Sequence, residues 1–538
     1  MFSLTQSQFV LGGVFVLVLA VAQTFLHVRK RSKLPPGPVG LPILGNIASL
    51  PPAGQPEFRH WLSFKEKYGP ISSITVMGQT IVMVNDLDVA TELLDKRATK
   101  YSSRPQMFFA TVTCKLKEWP GFQPNIPELR ETRKDIHSVA GTTNALRRAV
   151  VFQDEEITKF IVRCAKDPDS WRENLSKTFS AIVLWIGYGY RAEPEGLDPL
   201  TSINKDSIRA FNLCTVAGKW AVDIFNWMHY IPEWAPGGGF KKTGRKYERA
   251  MVDAPAISVR FTADRVAQGR SEPCLMSDLL TKHKEISKEE YFRLNKVGAS
   301  LTGGGAETTV ATLCWFFGFM LSRPEIQRKA QEEIDRVLGD RIPTLEDRPQ
   351  LPYVNAIWKE VRRHSPTGPL AIPHATSEDD WYEGMYIPKG AMIIPNVWAF
   401  SNDPAVYRNP REFNPERFLG PNPEQEPEKA GAFGFGRRVC PGKALADQGG
   451  WLFMAKALSM LSVVPPEGVE LDRTASFPTP KDGLTSFPNL APLRLVPRTE
   501  KHAERLETIG EKYKGEKGDG AEAMKICEEY KWKFEDMD

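Results

Sequence analysis

The sequence predicts a mainly α-helical fold with small β-sheets, built as one large domain behind an apolar N-terminal segment. Helical periodicity dominates from about residue 87 to 320, whereas strand-like runs are short and scattered. No Gly/Ser-rich or low-complexity linker interrupts residues 40–495, so one domain that encloses a ligand fits better than several small ones. The hydrophobic share of 41% and the charged share of 25% exclude disordered and collagen-like classes.

The N-terminus has the pattern of a membrane anchor. Residues 1–28 contain no Asp, Glu, Lys or Arg, and residues 9–28 would form a helix about 30 Å long, the thickness of a bilayer core. The basic cluster at 29–33 follows this stretch, which places the rest of the chain on the cytosolic side. A cleaved signal peptide is the alternative, because residues 20–22 (Ala-Val-Ala) resemble a cleavage site.

These features predict four boundaries. We expect a short lumenal N-terminus at 1–8, a single-pass anchor at 9–28 in the endoplasmic reticulum membrane, a basic and proline-rich hinge at 29–42, and a cytosolic domain at 43–498. The Lys/Glu-rich residues 499–538 are expected to form a charged, solvated tail.

Charge and cysteine content exclude several partner classes. The net charge of +4 is small and the basic residues are spread along the chain, so no nucleic-acid partner is expected. The closest of the seven cysteines are forty positions apart, which excludes C-x-x-C zinc and redox motifs. Sparse cysteines favour reduced thiols over a disulfide framework.

The pattern places several elements on the domain. The longest predicted helix covers 288–322, a second covers 324–339, and a shorter one ends near His364. The other predicted elements are a helix at 56–68, strands at 71–77 and 80–85, strand-like segments and turns at 369–420, a helix after Cys440, and short strands before Pro497.

The most specific motif is F-G-F-G-R-R-V-C-P-G at 433–442. A thiolate that binds a metal must be shielded from water, and glycines let backbone pass close to it. The spacing F-x-x-G-x-R-x-C-x-G resembles the haem-binding signature of the cytochrome P450 family. The resemblance implies a cytochrome P450 fold and haem b, with Cys440 as the axial ligand of the iron and Arg438 on a haem propionate.

Other positions of the same loop have expected roles. Phe433, Gly436 and Gly442 would shape it, the two glycines by letting backbone approach the sulfur and the porphyrin. The positive end of the helix that follows Cys440 is expected to lower the pKa of the thiol. A buried cysteine in a glycine-rich turn is the alternative interpretation.

A second motif, G-G-G-A-E-T-T, occupies residues 303–309 of the longest predicted helix. Each helical glycine costs about 1 kcal/mol relative to alanine, so three together suggest that a ligand approaches closely. The motif is similar to the family pattern [AG]-G-x-[DE]-T-[TS]. The resemblance implies a local helix distortion, with Thr308 hydrogen-bonding bound dioxygen and Glu307 relaying protons. A helix kink with a capping threonine is the alternative.

A third motif is the E-x-x-R of Glu360 and Arg363, which places both charges on one helix face. Its position before P-E-R-F resembles the family, and this implies a buried structural network of Glu360, Arg363 and Arg417. The same spacing recurs at three sites expected to be solvated pairs: Glu290/Arg293, Glu325/Arg328 and Glu333/Arg336.

Two further residues are candidate partners of the propionates through the same resemblance. His374, in I-P-H-A-T, lies where relatives place a His or Arg, although a satisfied polar residue in a strand is the alternative. Arg133 lies where many relatives have W-x-x-x-R, but Leu129 takes the Trp position here.

The resemblance implies a membrane-bound monooxygenase that inserts one oxygen atom of O2 into a hydrophobic small molecule. No flavin or NADPH domain is visible, so electrons would come from NADPH through a separate reductase, with cytochrome b5 as a second donor. A haem-thiolate isomerase or dehydratase and a haem-binding sensor are the alternatives, and the Glu307-Thr308 pair argues against both.

A role in specialised metabolism is preferred, because loops near the expected pocket depart from the family pattern.

The expected function also predicts two surfaces of the domain. The expected pocket wall comprises Met107, Phe108, Phe109, Leu370, Ala371 and Ile372, for which core packing is the alternative. The expected reductase-facing surface comprises Arg130, Lys134, Arg437 and Lys443, for which an ordinary solvated face is the alternative.

Overall fold

The structure is a computed structural model that describes residues 33–52, 54–216, 218–282, 286–470 and 484–532. The expected lumenal N-terminus at 1–8, the anchor at 9–28 and the first part of the hinge lie outside the described residues. Within the described ranges, no helix has both the length and the apolar character needed to cross a bilayer.

Helices make up most of the described chain, which confirms the mainly α-helical class. The α-helices are α1 (Glu57–Tyr68), α2 (Leu87–Ala90), α3 (Ala98–Tyr101), α4 (Pro127–Ala140), α5 (Thr143–Lys166), α6 (Trp171–Tyr188), α7 (Pro199–Cys214), α8 (Ala221–Ile224), α9 (Phe240–Ala267), α10 (Leu275–Leu280), α11 (Lys288–Gly305), α12 (Glu307–Ser322), α13 (Pro324–Leu338), α14 (Pro352–His364), α15 (Val397–Ser401), α16 (Lys443–Met460), α17 (Glu500–Glu511) and α18 (Gly520–Glu529). Short 3-10 or π-helical turns cover Ile47–Ser49, Thr91–Lys96, Phe109–Thr113, Asn226–Tyr230, Leu345–Gln350, Pro415–Phe418 and Gly436–Arg438.

The strands form three small sheets, as expected from short strand-like runs. They are β1 (Ile71–Val76), β2 (Gln79–Val84), β3 (His374–Ala375), β4 (Asp380–Tyr382), β5 (Met385–Ile387), β6 (Met392–Pro395), β7 (Leu461–Val464) and β8 (Arg494–Pro497). The largest sheet has the order β1-β2-β6-β3, in which only β2 and β6 are parallel, with Ile81 opposite Met392. The pairs β4-β5 and β7-β8 are antiparallel.

Sequence-local features explain where several helices begin. A proline occupies the start of four helices, where its missing N–H has no intrahelical partner to lose: Pro127, Pro199, Pro324 and Pro352. The Asp198 carboxylate also accepts the Thr201 amide of α7 at 2.7 Å. The end of α6 is set by Gly189, whose φ of 65° is readily adopted only by glycine.

The expected single helix at 288–322 is interrupted. Helix α11 ends at Gly305, α12 begins at Glu307, and Ala306 between them has a φ of −85° and a ψ of −65°. Three consecutive glycines weaken the helix here. The Thr308 hydroxyl donates to the carbonyl oxygen of Gly304 at 2.7 Å across the break. The distortion therefore lies beside the two residues of the second motif.

The C-terminal segment is not the solvated tail that its composition predicts. Helix α17 packs on α5 and β8, and α18 packs on α7 and α9. The apolar side chains of Leu506 and Ile526 are buried in the main core. Neighbouring apolar residues of α17 and α18 pack against the same core. Arg265 of α9 binds Asp519 at 2.5 Å and Glu522 at 2.8 Å. Apolar contacts and ion pairs together attach the segment to the domain.

The core is centred on α5, α6, α11, α12 and α16, whose buried apolar residues form one large cluster. Helix α12 is buried over nearly its whole length and packs directly on α16. Cys440 lies just before α16, and Glu307 opens α12. The packing of these two helices thus brings the segments that carry the cysteine loop and the second motif to the interior.

Candidate active site

The cysteine loop is held by its own backbone. The Cys440 amide donates to the Phe433 carbonyl oxygen at 2.8 Å, which closes the loop before α16 begins. The Gly442 amide hydrogen-bonds the Cys440 thiol. A free amide aimed at the sulfur stabilises a thiolate, as expected from the glycine at this position.

The amide at the start of α16 lowers the pKa of the Cys440 thiol as expected, but it does not set the net shift. The pKa of the thiol is raised, because burial outweighs the Gly442 amide and the nearby charges of Arg133 and Lys443, all of which lower it. The side chain is nevertheless exposed at its surface. The residue thus keeps accessible surface although protein surrounds most of its sulfur.

Gly436 makes a close backbone approach to a neighbouring turn. Its φ is 50°, and an added Cβ would lie 2.2 Å from the Leu94 carbonyl oxygen. Its amide donates to the carboxylate of Asp95. The glycine therefore lets the cysteine loop pack on the turn at Thr91–Lys96.

Four cationic or potentially cationic side chains gather beside the loop: Arg104, Arg133, Arg438 and His374. The first cause of the lowered pKa of each arginine is burial, and Arg133 and Arg438 each lower the pKa of Arg104 further. The pKa of Arg438 falls to about 10. Among the described residues, no carboxylate offsets the charge of Arg104 or Arg438.

The cluster is fixed by backbone carbonyls. Arg438 donates to Ser102 O at 2.8 Å, to Pro120 O at 3.3 Å and to Gln123 O. Arg104 donates to Ile372 O at 2.6 Å and Pro373 O at 2.8 Å, while its buried Nε has no partner within the described chain. Carbonyls orient the guanidiniums but leave their positive charge unneutralised.

His374 and Arg133 complete the same region. The His374 Nδ1 lies 2.8 Å from Tyr101 O, and burial with the neighbouring Arg104 lowers its pKa to about 3. His374 is therefore neutral at physiological pH. Arg133 donates to Val439 O, directly before Cys440. The structure thus places Arg133 beside the cysteine loop although Leu129 occupies the usual Trp position.

Two of the three glycines in the second motif face open space. A Cβ added at Gly303 or Gly304 would meet nothing within 4 Å, whereas one at Gly305 would lie 2.8 Å from Val183. The half-buried Thr308 lies on the same side as the exposed Gly304, to whose carbonyl oxygen its hydroxyl donates. Glu307 is largely buried, which raises its pKa, and its carboxylate accepts Asn212 Nδ2 at 2.8 Å.

The donors present fit a haem. Cys440 offers a thiolate ligand for iron, and the buried Arg438 with the partly buried Arg104 and Arg133, none of which has a carboxylate partner among the described residues, suit the anionic propionates. The orphaned Nε of Arg104 is an unused donor in this cluster. The absence of side chains at Gly303 and Gly304 leaves room beside α11 for a flat ligand.

Glu360, Arg363 and Arg417 form a buried ionic network. Both Glu360 oxygens accept from Arg363, at 2.7 and 2.8 Å, and one also accepts from Arg417 at 3.1 Å. The Asn414 amide donates to the same carboxylate at 2.8 Å, and Arg417 binds Glu424 at 2.6 Å. The network joins α14 to the Pro415–Phe418 turn.

The other E-x-x-R pairs differ from it and from one another. Glu290 binds Arg293 at 2.7 Å with both side chains partly exposed. Glu333 is not a solvated residue: it is 7% exposed and accepts the Tyr353 and Val354 amides, each at 3.0 Å. Its carboxylate therefore caps the first turn of α14, where unpaired amides favour an anion.

The comparisons with known proteins agree with this geometry. The family model described as Cytochrome P450 matches residues 35–485. Cytochrome P450 monooxygenase claR of Ampulloclitocybe clavipes is 38% identical over 492 residues, covering 90% of both chains. The chain belongs to the cytochrome P450 family. Membership implies an iron haem held by a thiolate, and the names of the relatives as monooxygenases support an oxidoreductase.

Two further relatives of this cytochrome P450 are also fungal. O-methylsterigmatocystin oxidoreductase of Aspergillus flavus is 36% identical over 487 residues, covering 89% of this chain and 90% of the relative. Multifunctional cytochrome P450 monooxygenase af510 of Aspergillus fumigatus is 35% identical, covering 92% of this chain and 94% of the relative.

Three residues of the site had no motif in the sequence: Arg104, Asn212 and Asp95. They reach the site only through tertiary packing, and their sequence neighbourhoods resemble ordinary helix ends and loops. Among the expected pocket residues, Phe109 is fully buried and stacks on Trp220 with 3.6 Å between ring centroids, so it belongs to the core.

Proposed function

We propose that this cytochrome P450 is a monooxygenase that inserts one oxygen atom of O2 into a hydrophobic small organic molecule. Electrons come from NADPH through a separate reductase. The observation that carries the proposal is the Cys440 thiol under the Gly442 amide, beside a buried cluster of arginines that has no carboxylate partner within the described chain.

Different residues of the chain hold the iron and the propionates of the haem. Cys440 ligates the iron, and the Gly442 amide together with Arg133 stabilises the thiolate against its burial. Arg104 and Arg438 bind the propionates, with neutral His374 as a further hydrogen-bonding partner. When bound, the haem supplies dioxygen activation, which thiolate ligation favours.

Glu307 and Thr308 handle protons. Burial raises the pKa of Glu307, so its carboxyl retains a proton closer to neutral pH than an exposed glutamate does. The Thr308 hydroxyl donates to Gly304 O, which leaves its oxygen free to accept a hydrogen bond from the reacting side. Glu307 is the proton source and Thr308 is the group that orients the transfer.

The substrate is a hydrophobic small molecule of specialised metabolism. An aromatic and aliphatic cluster that includes Phe122, Phe211 and Trp220 lies next to Asn212 and the loop that Arg438 anchors. One relative is named as an O-methylsterigmatocystin oxidoreductase, which supports a hydrophobic organic substrate for this chain as well. Hydroxylation or a related oxidation is the proposed reaction.

The redox partner is an acidic NADPH-dependent reductase, with cytochrome b5 as a second electron donor. The basic side chains that would face it are all exposed, on α4 or next to Cys440: Arg130, Lys134, Arg437 and Lys443. Reductase-supported turnover should therefore fall when salt is raised or when these charges are reversed. Unchanged rates for a Lys134→Glu, Lys443→Glu double variant contradict this surface assignment.

Residues 9–28 anchor the protein in the endoplasmic reticulum membrane, with the domain in the cytosol. The absence of charged residues in 1–28 and the basic cluster at 29–33 support this topology. The test compares alkaline carbonate extraction of microsomes that contain the full chain or the chain without residues 1–28. The full chain should stay in the pellet, and its release into the supernatant would contradict the anchor.

The haem site is tested with the carbon monoxide difference spectrum of the dithionite-reduced protein. The wild type and Cys164→Ala, a matched variant at a buried cysteine of α5, should show a strongly red-shifted Soret band. Cys440→Ala should lack it. A band unchanged in Cys440→Ala, or no haem band in the wild type, refutes the proposal.

The reaction class is tested by its need for electrons. Product formation should require O2, NADPH and the reductase together, and Thr308→Ala should consume NADPH while forming less product. A haem-thiolate isomerase or dehydratase turns over without NADPH or reductase. Product formed in their absence would therefore overturn the monooxygenase assignment while leaving Cys440 as the iron ligand.

A further inference from the structure

The Glu307 carboxylate is held from another helix. Asn212 lies in the last turn of α7, and its Nδ2 donates to Glu307 Oε2 at 2.8 Å. Among the described residues, this is the only side-chain hydrogen bond that Glu307 receives. The position of the Glu307 carboxyl therefore depends on where α7 ends.

The end of α7 is itself well fixed. Helix α7 packs on α9, α11 and the C-terminal α18. The ring of Phe211 lies 5.7 Å from that of Phe122, in the loop whose Pro120 carbonyl accepts Arg438 at 3.3 Å. One turn of helix thus contacts both the loop beside the arginine cluster and the Glu307 carboxylate.

We propose that Asn212 is a positioning residue for proton delivery, because its amide holds the Glu307 carboxyl in one orientation. The inference rests on the monooxygenase function proposed above. Asn212 carries no charge and does not exchange protons itself. It acts through Glu307, whose carboxyl it holds beside Thr308.

Two opposing effects set the proton affinity of Glu307. Burial raises its pKa, and the Asn212 amide lowers it. No charged side chain from the described parts of the neighbouring helices α6, α7, α11, α14 or α16 shifts the pKa of Glu307. Removing the amide leaves burial unopposed, so the carboxyl should stay protonated to a higher pH.

The decisive measurement is infrared titration of the purified holoprotein carrying 13C-labelled glutamate. The Glu307 band is identified by its loss in Glu307→Gln. In Asn212→Ala, the pH midpoint of that band should rise by about one unit, the scale of a hydrogen bond to a charged group. Asn212→Gln keeps the amide and should return the midpoint toward the wild-type value.

A matched variant separates positioning from helix packing. Asn204 lies on the same helix, and its amide donates to Leu200 O at 2.8 Å and to Ser258 Oγ at 3.2 Å. Asn204→Ala should leave the Glu307 midpoint unchanged. Product formed per NADPH should fall severalfold in Asn212→Ala, with the carbon monoxide band retained.

Two results would overturn the inference: a Glu307 midpoint that does not move in Asn212→Ala, or an equal shift in Asn204→Ala. Failure of the proposed monooxygenase function would be recognised by a separate measurement. A wild-type protein without a red-shifted carbon monoxide band refutes that function, whereas the infrared midpoint reports on the Asn212 contact whatever the reaction is.

Discussion

Replacing Glu360 with glutamine removes the charge at the centre of the buried network while keeping its shape. Both the Glu360 and the Arg363 side chains are fully buried, and Arg417 is 2% exposed. In Glu360→Gln, Arg363 loses its only carboxylate partner within the described chain. Arg417 keeps the ion pair with Glu424 at 2.6 Å. One buried guanidinium therefore becomes uncompensated, and the second stays paired.

The expected loss of stability in Glu360→Gln follows from this single unpaired guanidinium. Breaking a buried ion pair by removing one partner costs about 3–5 kcal/mol, because the remaining charge is left desolvated. The carbonyls of Ser401 and Pro410, at 2.9 and 2.7 Å, still accept from Arg363 and keep the cost from rising further. We expect the free energy of unfolding to fall by about 3–5 kcal/mol.

The assay is urea unfolding followed by far-ultraviolet circular dichroism. The matched control is Glu290→Gln, which breaks an E-x-x-R pair that is partly exposed and leaves Arg293 bound to Asp135 at 2.5 Å. That variant should lose less than about 1 kcal/mol. Equal losses in the two variants, or a loss below about 1 kcal/mol in Glu360→Gln, would refute the assignment of a buried network.

Three further substitutions have defined outcomes. Asp223 is half-buried and accepts the Phe109 amide at 2.7 Å, and the burial of its carboxyl raises its pKa from 3.8 to about 6. The folded state therefore holds this proton more tightly than the unfolded chain does, and stability from this group declines as pH rises from about 4 to about 6. Asp223→Asn should be more stable than the wild type above pH 6, by up to about 3 kcal/mol in urea unfolding, with the difference vanishing toward pH 4. Gly436→Ala should abolish most of the red-shifted carbon monoxide band, because its Cβ would lie 2.2 Å from a carbonyl oxygen. Gly420→Ala, also at positive φ but in open space, should retain the band. Ile526→Ala should cost about 2–4 kcal/mol of unfolding free energy, as for a core residue.

Each of these has an outcome that contradicts it. A stability difference between Asp223→Asn and the wild type that grows as the pH falls would reverse the sign of the linkage. Full haem incorporation by Gly436→Ala would show that the loop does not need its close approach to the turn at Thr91–Lys96. A loss below about 0.5 kcal/mol for Ile526→Ala is the behaviour of a surface residue and would detach α18 from the core.

The motifs predicted the parts of the site that depend on local spacing. The cysteine loop and the helix with Glu307 and Thr308 are short, continuous segments, so residue type and order were enough to single them out. The mainly helical class followed from periodicity for the same reason. The pairing of Glu360 with Arg417 came from family resemblance, since those residues are 57 positions apart.

The remaining features depend on three-dimensional packing. The net pKa of Cys440 is set by burial, which the sequence does not display, so the helix that follows it indicated only the smaller, opposing contribution. Glu333 has the spacing of a solvated pair and instead caps α14. The packing of α18 could not be predicted from the composition of the C-terminal segment. The apolar residues of this helix, among them Ile526, form a narrow stripe among charged residues.

The C-terminal helices also bear on how the protein is made. A nascent chain leaves the ribosome N-terminus first, and its early parts begin to fold before the rest is available. The faces of α7 and α9 that α18 covers stay open to water until translation is nearly complete, and Arg265 lacks Asp519 and Glu522 until then. A stop codon after residue 498 would yield every catalytic residue yet leave apolar surface uncovered, the state in which chains aggregate.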